Sequence, residues 1–578
     1  MKRLVAILLV LCMTFGISAC EKTEYEIFEL LPNEFLTGET LDEDGVIKAG
    51  TKQYTEEDIQ NMNGGEANMV FGNEGYLSFL QGKFSENKVE NYEQAIEAIQ
   101  PMAELLGLSA GSEFFCVYGT RDSQGYTYYT FQQRYGELTI AYTGLKIIID
   151  PEGYTAGLSS SFVPNIGFAE ETEDIGAEAA ENIVLDTQSS YNLTVYSEAT
   201  HKMAYSYYGQ TVNCYAVYTN NPNADSRDFD MKYYEHFVAF NGEYLACYPV
   251  ASFGTGNTDA TRAEDYFASL TSTDTEFTVT TYDGKTETVT VPVAYNENND
   301  TYYLASVERL MAVGYYSDMA QYGQVTFVES KTGTDWRNND LLAYDRYIKA
   351  YDFYASYGLN SVDGMGTPIL ICTQMPDDNA CYCGIQSGWA YFGASDLNVY
   401  SEGMDVVGHE YTHGYTASSL TMHIYSGHTG AINEAFSDIM GNIIEMSYGM
   451  TEDTTWAVGE NAGGAMRSQS NPALYNQPTA VGDQYYADPE DLEYDNGGVH
   501  INNSLLSQMA YKLYAAGLGI EEQADMWMRA IEMLTPRSEY AEVLASLKLS
   551  IDITGVDAYY KEFLTEAFME AGMIEGGR

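Results

Sequence analysis

The stretch GMDVVGHEYTHGYT, residues 403–416, governs the interpretation of the whole second half of the chain. On a helix, His409 and His413 lie four residues apart and project from one face about one turn apart. Two imidazoles at that separation can share one Zn²⁺, and Glu410 can reach a water on the metal without being a ligand. A five-residue pattern also occurs by chance, so a zinc site requires further ligands elsewhere.

A third ligand is predicted in GAINEAFSDIMG, residues 430–441, whose spacing favours a second helix. Glu434 lies 21 residues beyond His413, and Asp438 follows it by one helical turn on the same face. A carboxylate at Asp438 can accept the N–H of a ligating histidine. The alternative is a solvated helix face, but the neighbouring residues are apolar, and buried carboxylates need partners.

A further histidine occurs in YDNGGVHINNS, residues 494–504. The Asn-Gly-Gly turn allows the chain to fold back, so that Asp495 can orient the His500 imidazole. A protonated His500 would donate a hydrogen bond to a developing oxyanion. On this stretch alone, an ordinary loop histidine is an equal alternative.

The length and charge of the chain limit its possible functions. With 578 residues the chain is too long for one domain. Its 84 acidic residues against 27 basic ones give a net charge of −57, which argues against nucleic-acid binding and against a basic membrane-binding patch. The acidity is typical of a solvated surface, and cation binding by part of it is the alternative.

The N-terminus, MKRLVAILLVLCMTFGISAC, predicts export. Lys2 and Arg3 precede an apolar run of signal-peptide length, which is too short for a stable membrane span. The ending ISAC resembles a bacterial lipobox, in which Cys20 would carry a diacylglycerol and tether the exported protein to the membrane. A secretory signal with a coincidental cysteine is the alternative.

Six cysteines remain after the signal and Cys20 are set aside: Cys116, Cys214, Cys247, Cys372, Cys381 and Cys383. An exported protein can form disulfides. The expected local pair is Cys372 with either Cys381 or Cys383, and the sequence does not fix the pairing.

Changes in composition and in hydrophobic periodicity divide the chain into five parts. We expect a signal peptide over 1–19, an acidic tether with irregular structure over 20–75, and an α+β region over 76–253. Helical spacing followed by strand-like alternation occurs twice in that region. Strand-rich sequence from 265 to 420 and mostly helical sequence from 421 to 578 complete the chain.

The segments HEYTH, GAINEAFSD and DNGGVH, in this order, resemble the thermolysin-like neutral zinc metallopeptidases. The resemblance runs from about residue 265 to the end. It implies an α+β fold with a two-lobed catalytic domain, in which a β-rich N-terminal lobe and a helical C-terminal lobe flank a zinc site on a central helix. The 76–253 region resembles the propeptide of that family, an inhibitor and folding aid that acts in cis.

The resemblance also implies roles for individual residues. Zinc would be bound by His409, His413 and Glu434, with Glu410 as the general base. Asp438 would support a ligand histidine. His500, oriented by Asp495, and Tyr425 would stabilise the oxyanion. Peptide substrate would contact Asn379, Ala380, Arg467, Val406, Val458 and Met466, and a calcium ion would be bound by Asp405, Glu445 and Glu460.

The implied activity is that of a secreted, lipid-anchored zinc endopeptidase, made as a zymogen, that hydrolyses peptide bonds with a metal-activated water. The apolar side chains of Val406, Val458 and Met466 imply a preference for a bulky apolar residue after the cut. The alternatives are a catalytically inactive peptidase-like surface binding protein and a zinc enzyme of another branch with a different third ligand. The chain departs from the family pattern by one extra residue near 418–423 and by a few in CGIQSGWAYFG.

Overall fold

The computed structural model describes residues 25–28, 45–122, 124–168, 173–207, 210–221, 233–249, 263–316, 325–375, 379–386, 389–395, 399–420, 424–450 and 456–575. The expected signal segment, residues 1–19, and Cys20 lie outside these ranges. In the described part of the chain, no helix combines the length and the apolarity that crossing a membrane requires.

The first folded unit is built on an antiparallel sheet of eight described strands. The strands are β1 (Tyr25–Phe28), β2 (Asn68–Phe71), β3 (Leu77–Gln81), β4 (Glu113–Asp122), β5 (Thr127–Tyr135), β6 (Leu138–Thr139), β7 (Leu145–Ile149) and β8 (Thr155–Ser160), and the helices are α1 (Glu56–Met62) and α2 (Tyr92–Ile99). The strand order is β1-β4-β5-β7-β8-β3-β2, with β6 beside β5. Helix α2 buries Ile96 and Ile99 in the core of this unit, together with Leu80 and Phe131 of the sheet.

This unit begins earlier than the sequence predicts, which corrects the expected tether over residues 20–75. Helix α1 and strand β2 lie inside that range, and β2 pairs with β3. Helix α1 is capped at Thr55, whose side chain accepts from the backbone N–H of Asp58, but it buries only Ile59. One buried residue in a short acidic helix gives too little periodicity to be recognised in the sequence.

The second unit repeats the predicted order of a helix followed by strands. Its elements are β9 (Gly167–Phe168), α3 (Ala177–Thr187), β10 (Thr194–Val195), β11 (His201–Tyr207), β12 (Gln210–Asn220), β13 (Tyr233–Ala239) and β14 (Tyr244–Pro249). Strand β12 is central, because β9, β10, β11 and β13 all pair with it. Helix α3 packs Ala180 and Val184 against Val217 and Val238 of the sheet.

The third unit is the predicted strand-rich lobe. It contains α4 (Ala263–Ala268), β15 (Leu270–Thr280), β16 (Thr286–Asn296), β17 (Thr301–Ser306), β18 (Met311–Tyr316), β19 (Val325–Phe327), β20 (Glu329–Ser330), α5 (Asn338–Ala355), β21 (Ile369–Met375), β22 (Ala380–Gln386) and β23 (Trp389–Ser395). The main strand order is β15-β16-β17-β18-β21-β23-β22. Strand β22 is therefore an edge strand, and it lies next to the central helix described below.

The helical lobe follows, and the predicted two-lobed α+β fold is confirmed. It is preceded by α6 (Met404–Leu420), and its elements are α7 (Gly427–Ser447), β24 (Ala457–Val458), β25 (Arg467–Ser468), α8 (Asp495–Asn502), α9 (Ser504–Ala515), α10 (Ile520–Glu532), α11 (Tyr540–Thr554) and α12 (Tyr559–Glu570). Helix α6 is the central helix, because it contacts α7 and α10 on one side and α5 and β22 on the other. Almost all of its residues are buried.

Two glycines set how closely α6 and α7 approach each other. A Cβ atom on Gly408 would lie 3.0 Å from the Cα of Gly441. A Cβ atom on Gly441 would lie 2.3 Å from the carbonyl oxygen of Asp405. Backbone atoms cannot move aside as a flexible side chain can, so this crossing requires glycine. It brings the histidines of α6 against the carboxylates of α7.

The first unit is docked on the helical lobe through buried polar contacts. Arg529 of α10 pairs with Asp122 of β4, and neither side chain is exposed to solvent. The Nζ of Lys146 donates to the carbonyl oxygens of Ser419, at 2.8 Å, and Glu532, at 2.6 Å. The hydroxyl of Tyr118 donates to the Ser419 carbonyl at 3.0 Å.

Candidate metal centre and active site

Three predicted ligand side chains converge at the crossing of α6 and α7. The Nε2 atoms of His409 and His413 lie 2.9 Å apart. Glu434 places Oε2 3.3 Å from Nε2 of His409 and Oε1 3.2 Å from Nε2 of His413. Tetrahedral ligands at about 2.0–2.1 Å from a zinc ion stand about 3.3 Å from one another. The spacing therefore matches the ligand shell of a zinc ion.

The hydrogen bonds made by the Nδ1 atoms of the two histidines show whether their Nε2 atoms are available to a metal ion. The Nδ1 of His409 faces Asp438 Oδ1 at 2.8 Å, and the Nδ1 of His413 faces Asn433 Oδ1 at 3.0 Å. With the protons held on Nδ1, both Nε2 lone pairs point at each other and at a fully buried Glu434 carboxylate. The Oε2 of Glu434 accepts no hydrogen bond from any described residue. Such a cluster of electron pairs fits a cation, and the donor set fits Zn²⁺.

Asp438 accepts hydrogen bonds from His409 and from two further residues that hold it in place. Arg467 donates from Nε at 2.8 Å and from Nη2 at 2.6 Å, and Asn503 donates from Nδ2 at 2.7 Å. Burial raises the pKa of Asp438, but the charge of Arg467 and the bond from His409 outweigh burial and hold that pKa below its ordinary value. Burial lowers the pKa of His409, but Glu434 and Asp438 raise it to about 10 when no metal is bound, so a metal ion has to displace a proton from this ring.

Glu410 lies beside this centre and faces the cleft. Its Oε2 accepts the backbone N–H of Tyr382, on edge strand β22, at 2.8 Å. The carboxylate is buried, but it lines the same cavity as the three ligands. A carboxylate held in this way can receive a proton from a water at the metal position.

His500 and Tyr425 close the opposite side of the centre. The Nδ1 of His500 lies 2.6 Å from Asp495 Oδ1, and its backbone N–H donates to Asp495 Oδ2 at 2.8 Å. Burial lowers the pKa of His500, but Glu434 and Asp495 raise it to about 9, which favours the cationic form of the imidazole. The Tyr425 hydroxyl donates to Glu434 and lies 3.3 Å from His500 Nε2.

The predicted Asn-Gly-Gly turn makes the His500 arrangement possible. Gly497 and Gly498 have φ of 82° and 76°, and Asn496 has φ of 52°. A Cβ atom on Gly497 would lie 2.4 Å from the carbonyl oxygen of Pro489. The turn reverses the chain at the start of α8, which returns the His500 ring to the Asp495 carboxylate.

The cleft in front of the centre has a volume of about 180 Å³. All six predicted substrate-contact residues line it, namely Asn379, Ala380, Val406, Val458, Met466 and Arg467. Val406 and Val458 are buried, whereas Met466 is 37% exposed. The cleft therefore has an apolar wall on one side and the edge strand β22 on another.

Several residues at the site have no counterpart in the sequence predictions. Tyr382 and Tyr400 line the cleft, and Asn433 and Asn503 hold His413 and Asp438. Asn433 directly precedes Glu434, and Asn503 follows His500 by three residues. Their closeness to the predicted site residues was the one feature of the sequence that could have indicated a role for them. For Tyr382 no signal was available, because its contact uses the backbone.

The residues predicted to bind calcium form a second cluster. Candidate ligand atoms of Asp405, Glu445 and Glu460 lie within 4.8 Å of one another. Glu445 Oε2 accepts no hydrogen bond from any described residue. Burial, with the charges of Asp405 and Glu460, raises the pKa of Glu445 to about 9.

The expected pairing of Cys372 is corrected by the strand order. Cys372 on β21 and Cys381 on β22 both register with Gly393 on β23, which lies between them. Two inter-strand spacings separate their Cα atoms by about 10 Å, beyond the reach of about 7 Å for a disulfide. Instead, the Sγ atoms of Cys381 and Cys383 lie 3.0 Å apart.

Two family models match adjacent parts of the chain. The model described as "Thermolysin metallopeptidase, catalytic domain" matches residues 279–417. The model described as "Thermolysin metallopeptidase, alpha-helical domain" matches residues 422–573. The first match ends at residue 417, within α6, and the second begins at residue 422, shortly after that helix ends.

Individual relatives agree with these matches. Neutral protease NprE of Bacillus pumilus is 34% identical over 232 residues, which are 38% of this chain and 74% of that protein. Bacillolysin of Bacillus subtilis (strain 168) is 34% identical, over 38% of this chain and 43% of its own. Thermolysin of Alicyclobacillus acidocaldarius subsp. acidocaldarius is 30% identical, over 40% of this chain and 46% of its own length. The match thus spans about three quarters of the first relative and less than half of the other two.

One solved structure that is similar to this chain is the precursor of protealysin, a metalloproteinase from Serratia proteamaculans. It is 23% identical, and the alignment covers 45% of this chain and 87% of that one, with a TM-score of 0.38.

Proposed function

The chain belongs to the thermolysin metallopeptidase family, and from this premise we propose that it is an exported zinc endopeptidase, made as a zymogen. The observation that carries the proposal is the convergence of His409, His413 and Glu434, whose ligand atoms lie 2.9–3.3 Å apart. A bound zinc ion would polarise the peptide carbonyl and lower the pKa of a water at its open position.

Glu410 is the proposed general base. Its carboxylate takes the proton from the attacking water and passes it to the leaving amine, so no covalent intermediate with the protein is required. The Tyr382 N–H, at 2.8 Å from Glu410 Oε2, holds the carboxylate toward the cleft. Because the Glu410 carboxylate is held in one position, the proton moves a short distance both from the water to Glu410 and from Glu410 to the leaving amine.

His500 and Tyr425 are the proposed donors to the oxyanion of the tetrahedral intermediate. The cationic form of His500, favoured by the charges of Glu434 and Asp495, supports this role. Arg467 is proposed to contact a substrate carbonyl while its guanidinium is anchored on Asp438. The backbone of Asn379 and the edge strand beginning at Ala380 are proposed to pair with the peptide, as extended peptides pair with free sheet edges.

The proposed specificity is for a bulky apolar residue directly after the cut. Val406, Val458 and Met466 support it, because they line the cleft together with the ligands. Burying one apolar side chain against such a wall contributes about 1.5–3 kcal/mol to binding. The acidic character of the remaining surface disfavours acidic residues at the same subsite.

The N-terminal units are proposed to act as a propeptide in cis. Two contacts support this, one on each side of residues 421–423, which lie outside the described ranges. Tyr118 and Lys146 bind the carbonyl of Ser419, and Ile424 packs against the apolar core of the second unit. Ile424 directly precedes Tyr425, so these units hold the segment that carries a proposed oxyanion donor.

Export and a lipid anchor on Cys20 are proposed from the N-terminal sequence alone. The basic residues, the apolar run and the small residues before Cys20 support the proposal. The expected location is the outer face of a bacterial membrane.

We propose one calcium ion at Asp405, Glu445 and Glu460. The support is the crowding of three carboxylates around a buried Glu445 oxygen that accepts no hydrogen bond within the described residues. Calcium takes six to eight oxygen ligands, so carbonyl groups or waters would complete its shell.

The second candidate, a catalytically inactive surface binding protein, is less well supported. A protein that had lost catalysis would be free to lose a ligand, the general base or an oxyanion donor. In this chain His409, Glu410, His413, Glu434 and His500 are all present and all line one cleft.

Zinc removal and reconstitution test the proposed function. Protein that has been left to process itself and is then stripped with a chelator should lose hydrolysis of a peptide that carries Leu after the scissile bond, and one equivalent of zinc per chain should restore it. Magnesium serves as the control and should not restore activity. A peptide with Asp in place of Leu should be cut at least about tenfold more slowly. Activity that survives complete zinc removal would contradict the proposal.

A further inference from the structure

Edge strand β22 carries two thiols, one on each side of Tyr382. The Sγ atoms of Cys381 and Cys383 lie 3.0 Å apart, and both residues are partly exposed. Cys381 also lines the cleft of the proposed active site. Two thiols in contact at a solvent-accessible position are suited to reversible oxidation.

The irregular pairing of β22 explains why the two thiols meet. Cys381 registers with Gly393 and Tyr382 with Phe392, but the register then shifts, and Gly384 follows with Tyr391. Cys383 is therefore the extra residue of a bulge. In a regular strand, Cα atoms two residues apart lie about 6.6 Å from each other, near the upper limit for a disulfide. A bulge bends the strand and shortens this distance.

Tyr382 connects the thiol pair with the catalytic base. Its backbone N–H donates to Glu410 Oε2 at 2.8 Å, and its ring packs against Phe392 with centroids 5.2 Å apart. A bond between the two sulfurs would close a ring that contains both peptide units of Tyr382. Closing this ring limits the φ and ψ of Tyr382, and so it changes the direction of the N–H that holds Glu410.

We propose that Cys381 and Cys383 are a redox modification site whose disulfide lowers the activity of the peptidase; the effect on activity rests on the proposed function. The oxidant is a small-molecule disulfide. One cysteine thiolate attacks it and releases one thiol, which leaves a mixed disulfide on the protein. The second thiolate then attacks that protein sulfur and releases a second thiol. The two protein thiols lose two electrons, and their protons go to the two released thiols.

Mass spectrometry of the full chain tests the disulfide. After equilibration in glutathione buffers, free thiols are alkylated, the protein is digested, and the peptide containing both cysteines is weighed. With excess glutathione disulfide, that peptide should lose the mass of two hydrogen atoms and take up no alkyl group. Cys372→Ser is the matched control, and it should form the same product. Two alkylated thiols in that peptide under every buffer would overturn the proposal.

Activity measured on the same samples tests the effect. Wild type and Cys372→Ser should lose peptide hydrolysis by about tenfold on oxidation, since a small displacement of a catalytic group has effects of this size. Tris(2-carboxyethyl)phosphine should restore it. Cys383→Ser and Cys381→Ser, with zinc content as the check of folding, should not respond to the oxidant. A response in these single variants, or a disulfide with unchanged activity, would contradict the regulatory effect. A protein inactive under all conditions would refute the proposed function, while the mass shift would still decide the disulfide.

Discussion

The candidate ligand histidines, His409 and His413, are oriented by side chains that do not themselves reach the predicted metal position. Asp438 and Asn433 each accept from an Nδ1 atom, which leaves both Nε2 lone pairs directed at the same point. Asp438 is in turn held by Arg467 and Asn503. Two imidazoles and a carboxylate that face one another in a buried site repel unless a metal ion or a bound proton lies among them.

His500 provides the test at the scale of single residues. His500→Asn should lower kcat by about 10²–10³, because a donor to the oxyanion is lost, while zinc binding is retained. Steady-state kinetics and metal analysis on the same preparation measure both effects.

His428 is a matched control for this experiment. Its side chain is 29% exposed and its Nδ1 lies 3.0 Å from Glu539, whereas His500 is 31% exposed and paired with Asp495. It does not line the cleft. His428→Asn should therefore keep the kcat of the wild type, and an equal kcat for His500→Asn would exclude the oxyanion role.

Residues with a charge and a motif position could be predicted from the sequence, whereas their neutral partners could not. His409, His413, Glu434 and His500 were predicted because metal and acid–base chemistry restrict the residue type and the spacing, and the structure brings all four to one cleft. Asn433 and Asn503 act through amides, which are common in all loops and helices. Tyr382 acts through its backbone N–H, which any residue except proline would supply.

At the scale of elements, the crossing of α6 and α7 places the site. The ligands come from both helices, and the glycines at 408 and 441 let the helix backbones touch. The sequence showed both helices through their spacing, but it did not show how closely they pack. The same limit applies to the bulge in β22, which depends on pairing with β23 and leaves no local pattern.

Gly441→Ala tests the importance of this crossing. In an exposed helix interior, alanine in place of glycine stabilises by about 1 kcal/mol. Here the added Cβ would lie 2.3 Å from the Asp405 carbonyl oxygen, so overpacking should destabilise the protein by about 1–3 kcal/mol and weaken zinc binding. Urea unfolding and zinc titration measure the two effects.

Ser447→Ala, six residues further along α7, is the control for Gly441→Ala. Its hydroxyl only donates to the Ile443 carbonyl of the same helix. Its loss should change stability little and leave zinc affinity unchanged. A stabilised Gly441→Ala variant with normal zinc affinity would show that the helices do not need this contact.

At the scale of the whole molecule, the N-terminal units and the catalytic lobes form one buried interface. Arg529 contacts both Asp122 and Tyr128, whose hydroxyl accepts from Nη1 at 2.7 Å. Lys146 adds a second buried cation beside Glu532. These contacts could not be predicted from the sequence, because they join residues about 400 positions apart and follow no local spacing.

Asp122→Ala tests the interface. The change leaves the buried Arg529 charge with only the more distant Asp525 carboxylate, at 3.8 Å, which should destabilise the full chain by about 3 kcal/mol. The measurement is urea unfolding in a Glu410→Ala background, which prevents self-cleavage. Glu86→Gln removes an exposed pair with Lys83, at 30% and 70% side-chain exposure, and should change stability by about 0.5 kcal/mol or less. Equal stability of the two variants would contradict a docked propeptide.

The central claim is that one zinc ion held by His409, His413 and Glu434 acts together with Glu410 to cut peptide bonds. The most direct measurement is zinc content and peptide cleavage on the same samples of wild type and Glu410→Ala. We expect one zinc per chain in both proteins and the loss of cleavage in the variant, by about 10³-fold or more. Undiminished cleavage by Glu410→Ala with zinc bound would contradict it.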